Sequence, residues 1–175
     1  MRPGSTGMYL DETSARYFGS FHSFCPIIGR RAIQTRLLSF WFNPQSEFAL
    51  LLLCIGLLTH AEHCDLSLQP ARHMNERMLY LATKSLMAQV QAQVLCAPTT
   101  RLFQTGILLS VYEYAHGHEQ AFVTIGIYVR MVYAAQLRSQ PSPTTIDQMR
   151  LDMAEEKEEI NTWWGIRICE RCVHN

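Results

Sequence analysis

Apolar residues recur three and four positions apart along much of this chain, whereas no stretch alternates polar and apolar residues for long enough to predict a strand. The clearest run, between 71 and 96, contains Leu79, Ala82, Leu86, Val90 and Val94. Residues at these spacings share one face of an α-helix. The sequence therefore predicts an all-α fold.

Two more helices are predicted on either side of Gly117. The first starts after Thr99, which can cap a helix, and it is apolar on nearly all faces, so we expect it to lie centrally. The second has one apolar face, formed by Phe122, Ile125, Val129 and Val132. Because glycine can adopt the left-handed conformation that closes a helix, the two helices are predicted to form an antiparallel hairpin over 99–136.

The N-terminal part of the chain is divided by its composition and its helix signals. Residues 1–16 are polar and rich in glycine, serine and threonine, and they are predicted to form a flexible lead-in. A short helix is predicted over 31–42. Asn43 and Pro44 are typical of the start of the next helix, which would run to about His63.

The last helix is predicted over 146–174, after a Pro/Ser-rich linker at 139–145 whose Thr145 can form a capping box with Gln148. One stripe of this helix contains Met149, Met153, Ile160, Trp164 and Ile168. Together the segments predict an array of about five to seven antiparallel helices. Residues 17–175 are expected to form one helical domain.

The most apolar run, 48–58, is eleven residues long, whereas a transmembrane helix needs about 18 or more. We therefore predict a buried core helix there and no contact with a membrane. Fifteen basic and fifteen acidic side chains balance, so the chain has no net field that would attract phosphate or an anionic surface. If the protein acts on DNA, other residues are expected to make the contact.

The cysteines are too scattered for a disulfide framework and are typical of a reducing compartment: Cys25, Cys54, Cys64, Cys96, Cys169 and Cys172. Cys169 and Cys172 form one CxxC, which could be half of a zinc site or a redox pair. His60 and His63 could complete a zinc site, but two small core or boundary residues are the favoured interpretation. Because the chain has no GxSxG, Walker loop, GxGxxG after a strand or HExxH, we predict no enzyme and no metal or cofactor site within it.

Two adjacent tryptophans, Trp163 and Trp164, follow an acidic cluster in the last helix. The cluster lies where the helix dipole favours negative charge and is predicted to be a solvated face; it consists of Glu155, Glu156, Glu158 and Glu159. Neighbouring residues on a helix point about 100° apart, so the two indoles are expected to anchor against different neighbours. We predict a candidate regulatory pocket at these tryptophans, with plain core packing as the alternative.

The order of residues in EEKEEINTWWGIRICER resembles the signature of the middle homology region of fungal zinc-cluster transcription factors. The matching positions are Glu158, Trp163, Trp164, Gly165, Glu170 and Arg171. Upstream, LLSVYEYAHGHEQAFVTIGIYVRMVYAAQL is similar to the central hairpin of the same family, and YFGSFHSFCPII to the segment that opens the region. The resemblance covers residues 17–175. The sequence departs from the pattern at Ile160-Asn161-Thr162, where the family usually has lysine or arginine before the tryptophans.

The resemblance implies a regulatory domain that controls transcription by RNA polymerase II in a fungal nucleus, with transcriptional cofactors or a small effector as partners. In the family, DNA is bound through an N-terminal cluster of six cysteines and two zinc ions. The widely spaced cysteines of this chain do not match that cluster, so zinc and DNA are expected to belong to a longer architecture of which this chain would be an incomplete part. Two alternatives are a stand-alone helical protein-interaction module and, less favoured, a metal or redox enzyme.

Overall fold

The computed structural model describes residues 4–40, 42–61, 70–94, 98–136 and 148–174, and within these ranges it contains helices and no strand. The helices are α1 (Gly4–Gly19), α2 (Arg30–Phe40), α3 (Ser46–Ala61), α4 (Pro70–Val94), α5 (Thr100–Ala115), α6 (Gln120–Gln136) and α7 (Gln148–His174). A short 3-10 turn, Phe21–Ser23, follows α1. The prediction of an all-α fold with five to seven helices is confirmed.

Helix α5 forms the centre of the core. Every residue from 102 to 110 is buried, and the helix packs against α3, α6 and α7. Helix α3 packs in turn against α1 and α4. The predicted central position of a helix that is apolar on nearly all faces is therefore confirmed.

The ends of α5 match the predicted local signals. At its start the Thr99 hydroxyl accepts a hydrogen bond from the Leu102 amide at 3.3 Å. After its end, Gly117 has a φ of 68°, a left-handed conformation that side chains disfavour. Because this turn is short, α5 and α6 follow each other closely and pack extensively.

The apolar run of α3 is a core helix, as predicted. Phe48, Leu51, Cys54, Ile55 and Leu57 are each at most 2% exposed. In the part of the chain that the structure describes, no helix combines the length and apolarity needed to cross a bilayer.

The N-terminal region differs from the predicted lead-in over residues 1–16, because α1 is already helical from Gly4. Tertiary contacts explain the difference. Tyr17 and Phe18, in the last turn of α1, are 0% and 8% exposed, and both rings contact His22. Burial of two aromatic side chains outweighs the weak helix propensity of the glycine, serine and threonine before them.

The start of α3 corrects the predicted role of Asn43 and Pro44. The Asn43 amide donates to the Ser39 carbonyl at 3.0 Å, so Asn43 closes α2 instead of opening α3, which begins at Ser46. The sequence could not separate these two roles, because asparagine suits a turn as well as a cap. The predicted linker 139–145 and its Thr145 cap lie outside the described residues.

Candidate functional site around the two tryptophans

Trp163 and Trp164 diverge from α7 as predicted, but only one of them faces the core. The two rings are nearly perpendicular, at 85° with centroids 4.9 Å apart. Trp163 is partly buried against the core, whereas Trp164 is 57% exposed. The two indoles therefore belong to different surfaces, and the predicted shared pocket divides into an inner and an outer site.

The buried face of α7 is not the most apolar one. The predicted stripe points outward at Ile160, Trp164 and Ile168, which are 51%, 57% and 58% exposed. The residues that face the core include two polar side chains and a glycine: Glu158, Thr162, Gly165, Ile166 and Cys169. Gly165 allows close contact, because a Cβ there would lie 2.9 Å from Cγ2 of Ile27 and 3.0 Å from Cδ1 of Ile107.

A pocket of about 190 Å³ lies where α5, α6 and α7 meet. It is lined by Pro98, Thr100, Phe103, Val132, Ala135, Glu159, Thr162 and Trp163. The Trp163 Nε1 is buried and has no hydrogen-bond partner among the residues that the structure describes. An unpaired buried donor of this kind favours any acceptor that can reach it, since leaving it unpaired costs about 1–3 kcal/mol. The pocket is close in size to an engineered cavity of roughly 150 Å³ that accepts benzene.

Glu158 corrects the prediction that the acidic cluster is wholly solvated. Glu156 and Glu159 are exposed, but Glu158 is 9% exposed, and its carboxylate accepts the Gly29 amide at 2.8 Å. Arg36 of α2 lies 3.5 Å from the second oxygen of the same carboxylate. Glu158 therefore ties the start of α2 to α7. The one hint in the sequence is that Glu158 shares its helix face with Thr162 instead of Ile160.

The segment before α2 is held by two further side chains that the sequence did not single out for this role. Asn161 of α7 donates to the Pro26 carbonyl at 2.9 Å, and the buried Gln104 of α5 donates to the Ile27 carbonyl at 2.7 Å. Asn161 stands where the family pattern usually has a basic residue. Its amide thus anchors the backbone of the chain beside the tryptophans.

A second polar network lies under α4. Glu113 of α5 is fully buried, and its Oε1 accepts hydrogen bonds from the Tyr80 hydroxyl at 2.8 Å and the Lys84 ammonium at 2.9 Å. Lys84 also donates to the Thr124 hydroxyl of α6 at 3.2 Å. Burial and the hydrogen bond to Glu113 raise the pKa of Tyr80 above its usual range. This network joins α4, α5 and α6 through one buried carboxylate.

The predicted turn histidines are at the surface. His116 and His118 are both exposed, and the His116 Nε2 lies 3.3 Å from the Glu76 carboxylate, which also accepts the Tyr112 hydroxyl at 2.9 Å. The side chains of His60 and His63 lie outside the described residues. Across the described side chains, no group of three or more His, Cys, Asp or Glu residues is arranged to hold a metal ion.

The two cysteines of the CxxC differ in environment. Cys169 is buried in the core, and burial raises the pKa of its thiol to about 12, with a smaller contribution from nearby Cys25. Cys172 is exposed. Cys169 therefore fits the interpretation of a small core residue, and at neutral pH it is not the thiolate that a redox pair requires.

The two thiols are expected to differ in reactivity. At pH 8, iodoacetamide should alkylate Cys172 at least about 100-fold faster than Cys169, because Cys169 is buried and almost entirely protonated. Peptide mass spectrometry over a time course measures both rates. In denaturant the two rates should converge. Similar rates in the native protein would contradict the buried position of Cys169.

Comparison with known proteins identifies two similar transcription factors. The chain is 33% identical to the transcription factor BOA15 of Botryotinia fuckeliana over 135 residues, which are 77% of this chain and 70% of that protein. It is 31% identical to the asperfuranone cluster transcription factor afoA of Emericella nidulans over 140 residues, which are 75% of this chain and 19% of that protein. The chain thus spans about a fifth of the second relative. No family model and no solved structure matches it.

Proposed function

This chain belongs to a family of fungal transcription factors, and we propose that it is a helical regulatory domain of the middle homology type, controlling transcription by RNA polymerase II in the nucleus. Two findings support the regulatory assignment over direct DNA contact. The similarity to both relatives covers three quarters of the chain. The charges of the chain balance, so it lacks the basic excess that binding to the phosphate backbone requires. DNA and zinc would be bound by residues other than these.

The pocket beside Trp163 is the observation that carries the regulatory proposal. It lies where three helices meet, so a ligand there touches α5, α6 and α7 at once. A ligand shifts a conformational equilibrium only if it binds the two states with different affinities, and a junction of helices provides such a difference. The unpaired indole N–H selects a small ligand, about one ring in size, that presents a hydrogen-bond acceptor.

The test replaces each tryptophan by phenylalanine in the native gene. Trp163→Phe keeps an apolar ring but removes the pocket N–H, whereas Trp164→Phe makes the same chemical change on the exposed side. One hydrogen bond contributes about 1 kcal/mol, so Trp163→Phe should change the transcripts that respond to gene deletion by about fivefold. RNA sequencing measures the response, and Trp164→Phe is the matched control.

Chromatin immunoprecipitation provides the second measurement for the same strains. Occupancy of DNA should be unchanged in the Trp163→Phe strain, because the pocket is proposed to regulate and not to contact DNA. Lost occupancy would contradict the proposal. If gene deletion changed no transcript, the alternative of a stand-alone interaction module would replace it.

A further inference from the structure

The outward face of α7 carries three large apolar side chains in one line. Ile160, Trp164 and Ile168 are four residues apart and each is more than half exposed. We call these three residues the outer stripe. It extends about 12 Å along the helix at 1.5 Å per residue. An exposed apolar surface of this kind is typical of a binding face.

Cations stand at both ends of the outer stripe. Lys157 lies three residues before Ile160 and Arg171 three residues after Ile168, and both are exposed. Residues three and four apart are neighbours on one helix face, so the two cations continue the line of the stripe. The acidic residues of this part of α7 lie elsewhere: Glu159 lines the inner pocket, and Glu158 is buried.

The neighbouring face of α6 extends this surface. Val123, Ile127 and Tyr133 are 50%, 39% and 45% exposed, and the sequence of α6 contains one charged residue, Arg130. The Arg167 guanidinium of α7 donates to the Tyr133 hydroxyl at 2.7 Å, which joins the two helices. Both helices thus present exposed apolar side chains, and the charges along the outer stripe and on α6 are positive.

We propose that the outer stripe and the adjoining face of α6 bind an amphipathic helix of a partner protein that carries acidic residues at both of its ends. This inference rests on the proposed regulatory function and names the chemistry of its partner. The apolar face of such a helix would cover Ile160, Trp164 and Ile168. Its terminal carboxylates would pair with Lys157 and Arg171, which are about 21 Å apart along α7.

The charge pattern argues against a second copy of this chain as the occupant. In an antiparallel pair of outer stripes, Lys157 of one copy would face Arg171 of the other. In a parallel pair, identical cations would face each other. Both arrangements bring like charges together at the two ends of an apolar contact, which disfavours association. An acidic helix avoids this repulsion in either direction.

The probe is a fluorescein-labelled helical peptide of about 17 residues, with leucine and phenylalanine three and four positions apart and glutamates at both ends. A second peptide has the same apolar residues and lysines at both ends. Fluorescence anisotropy with the full chain at low salt should show at least tenfold tighter binding of the acidic peptide. Added salt should reduce this preference, because the terminal charges are exposed.

Three variants test the surface. Trp164→Ala should weaken binding of the acidic peptide at least about 30-fold, because a central tryptophan is a typical binding hot spot. The charge reversal of Lys157→Glu with Arg171→Glu should make the lysine peptide the tighter ligand. Phe42→Ala is the matched control, since Phe42 is 92% exposed but lies between α2 and α3, and it should leave binding unchanged. Circular dichroism checks that each variant is folded.

Several results would overturn the inference. Equal binding of the two peptides, or no binding of the acidic one, would exclude an acidic helix. Tighter binding to phosphatidylserine vesicles than to the peptide would indicate a membrane surface instead. Self-association in analytical ultracentrifugation that Trp164→Ala abolishes would indicate a second copy. Since peptide binding requires no transcription, its failure is distinguishable from a negative result in the Trp163 experiment.

Discussion

Replacing Gly106 with alanine should destabilise the fold by about 2 kcal/mol, although alanine is the better helix former. A Cβ at Gly106 would lie 2.3, 2.4 and 2.5 Å from Cδ2, Cγ and Cε2 of the Tyr128 ring. The ring has little freedom to move, because Tyr128 is fully buried and its hydroxyl accepts a hydrogen bond from Gln91 at 2.9 Å. Helices α5 and α6 must therefore separate, and the gain of about 1 kcal/mol in helix propensity only partly offsets this cost.

Urea unfolding followed by circular dichroism measures the effect as a lower midpoint at an unchanged slope. Gly126→Ala is the matched control, because a Cβ at this glycine of α6 meets nothing within 4 Å. It should be neutral or stabilise the protein by up to about 1 kcal/mol. Equal stability of the two variants would contradict the close packing of α5 on α6. In a Tyr128→Ala background, the added cost of Gly106→Ala should disappear.

Replacing Lys84 with methionine should destabilise the protein by about 2–3 kcal/mol. Glu113 would then stay fully buried with Tyr80 as the one printed hydrogen-bond donor to its Oε1, and its Oε2 already has no partner among the described residues. Removing one partner of a buried ion pair typically costs about 3–5 kcal/mol. We expect less here because the Lys84 side chain is 31% exposed, so solvent already weakens the pair.

The same unfolding experiment includes two comparisons. Lys157→Met removes an exposed lysine and should change stability by no more than about 0.5 kcal/mol. Adding Glu113→Gln to Lys84→Met should restore part of the loss, because a neutral amide is less costly to bury than an unpaired carboxylate. If Lys84→Met were as stable as Lys157→Met, the Lys84 contact would contribute nothing to the fold.

The helices and the end signals of α5 could be predicted because they depend on residues close together in sequence. Apolar spacing located α4, α5, α6 and α7 to within a few residues, and Thr99 and Gly117 bound α5 as predicted. The start of α1 was not predictable in this way. Its helix depends on burial of Tyr17 and Phe18, a contact that composition does not reveal.

The candidate site could be predicted only in part. The sequence singled out Trp163 and Trp164 and required them to diverge, since adjacent residues on a helix cannot share a face. It did not show that Thr100, Phe103, Val132 and Ala135 complete the pocket, because these residues come from α5 and α6. Nor did it show that Glu158 binds the Gly29 amide, a contact between residues 129 positions apart.

The sequence by itself determined the helical class, the position of the central helix and the presence of two divergent indoles, because local spacing and caps decide which backbone hydrogen bonds form. The tertiary structure alone decided which face of α7 is buried. The core accepts Glu158 and Thr162 because Gly29 and the helix backbone satisfy their polar atoms. That leaves the more apolar line of Ile160, Trp164 and Ile168 exposed, since burial depends on the shape and hydrogen bonds of distant neighbours as well as on hydrophobicity.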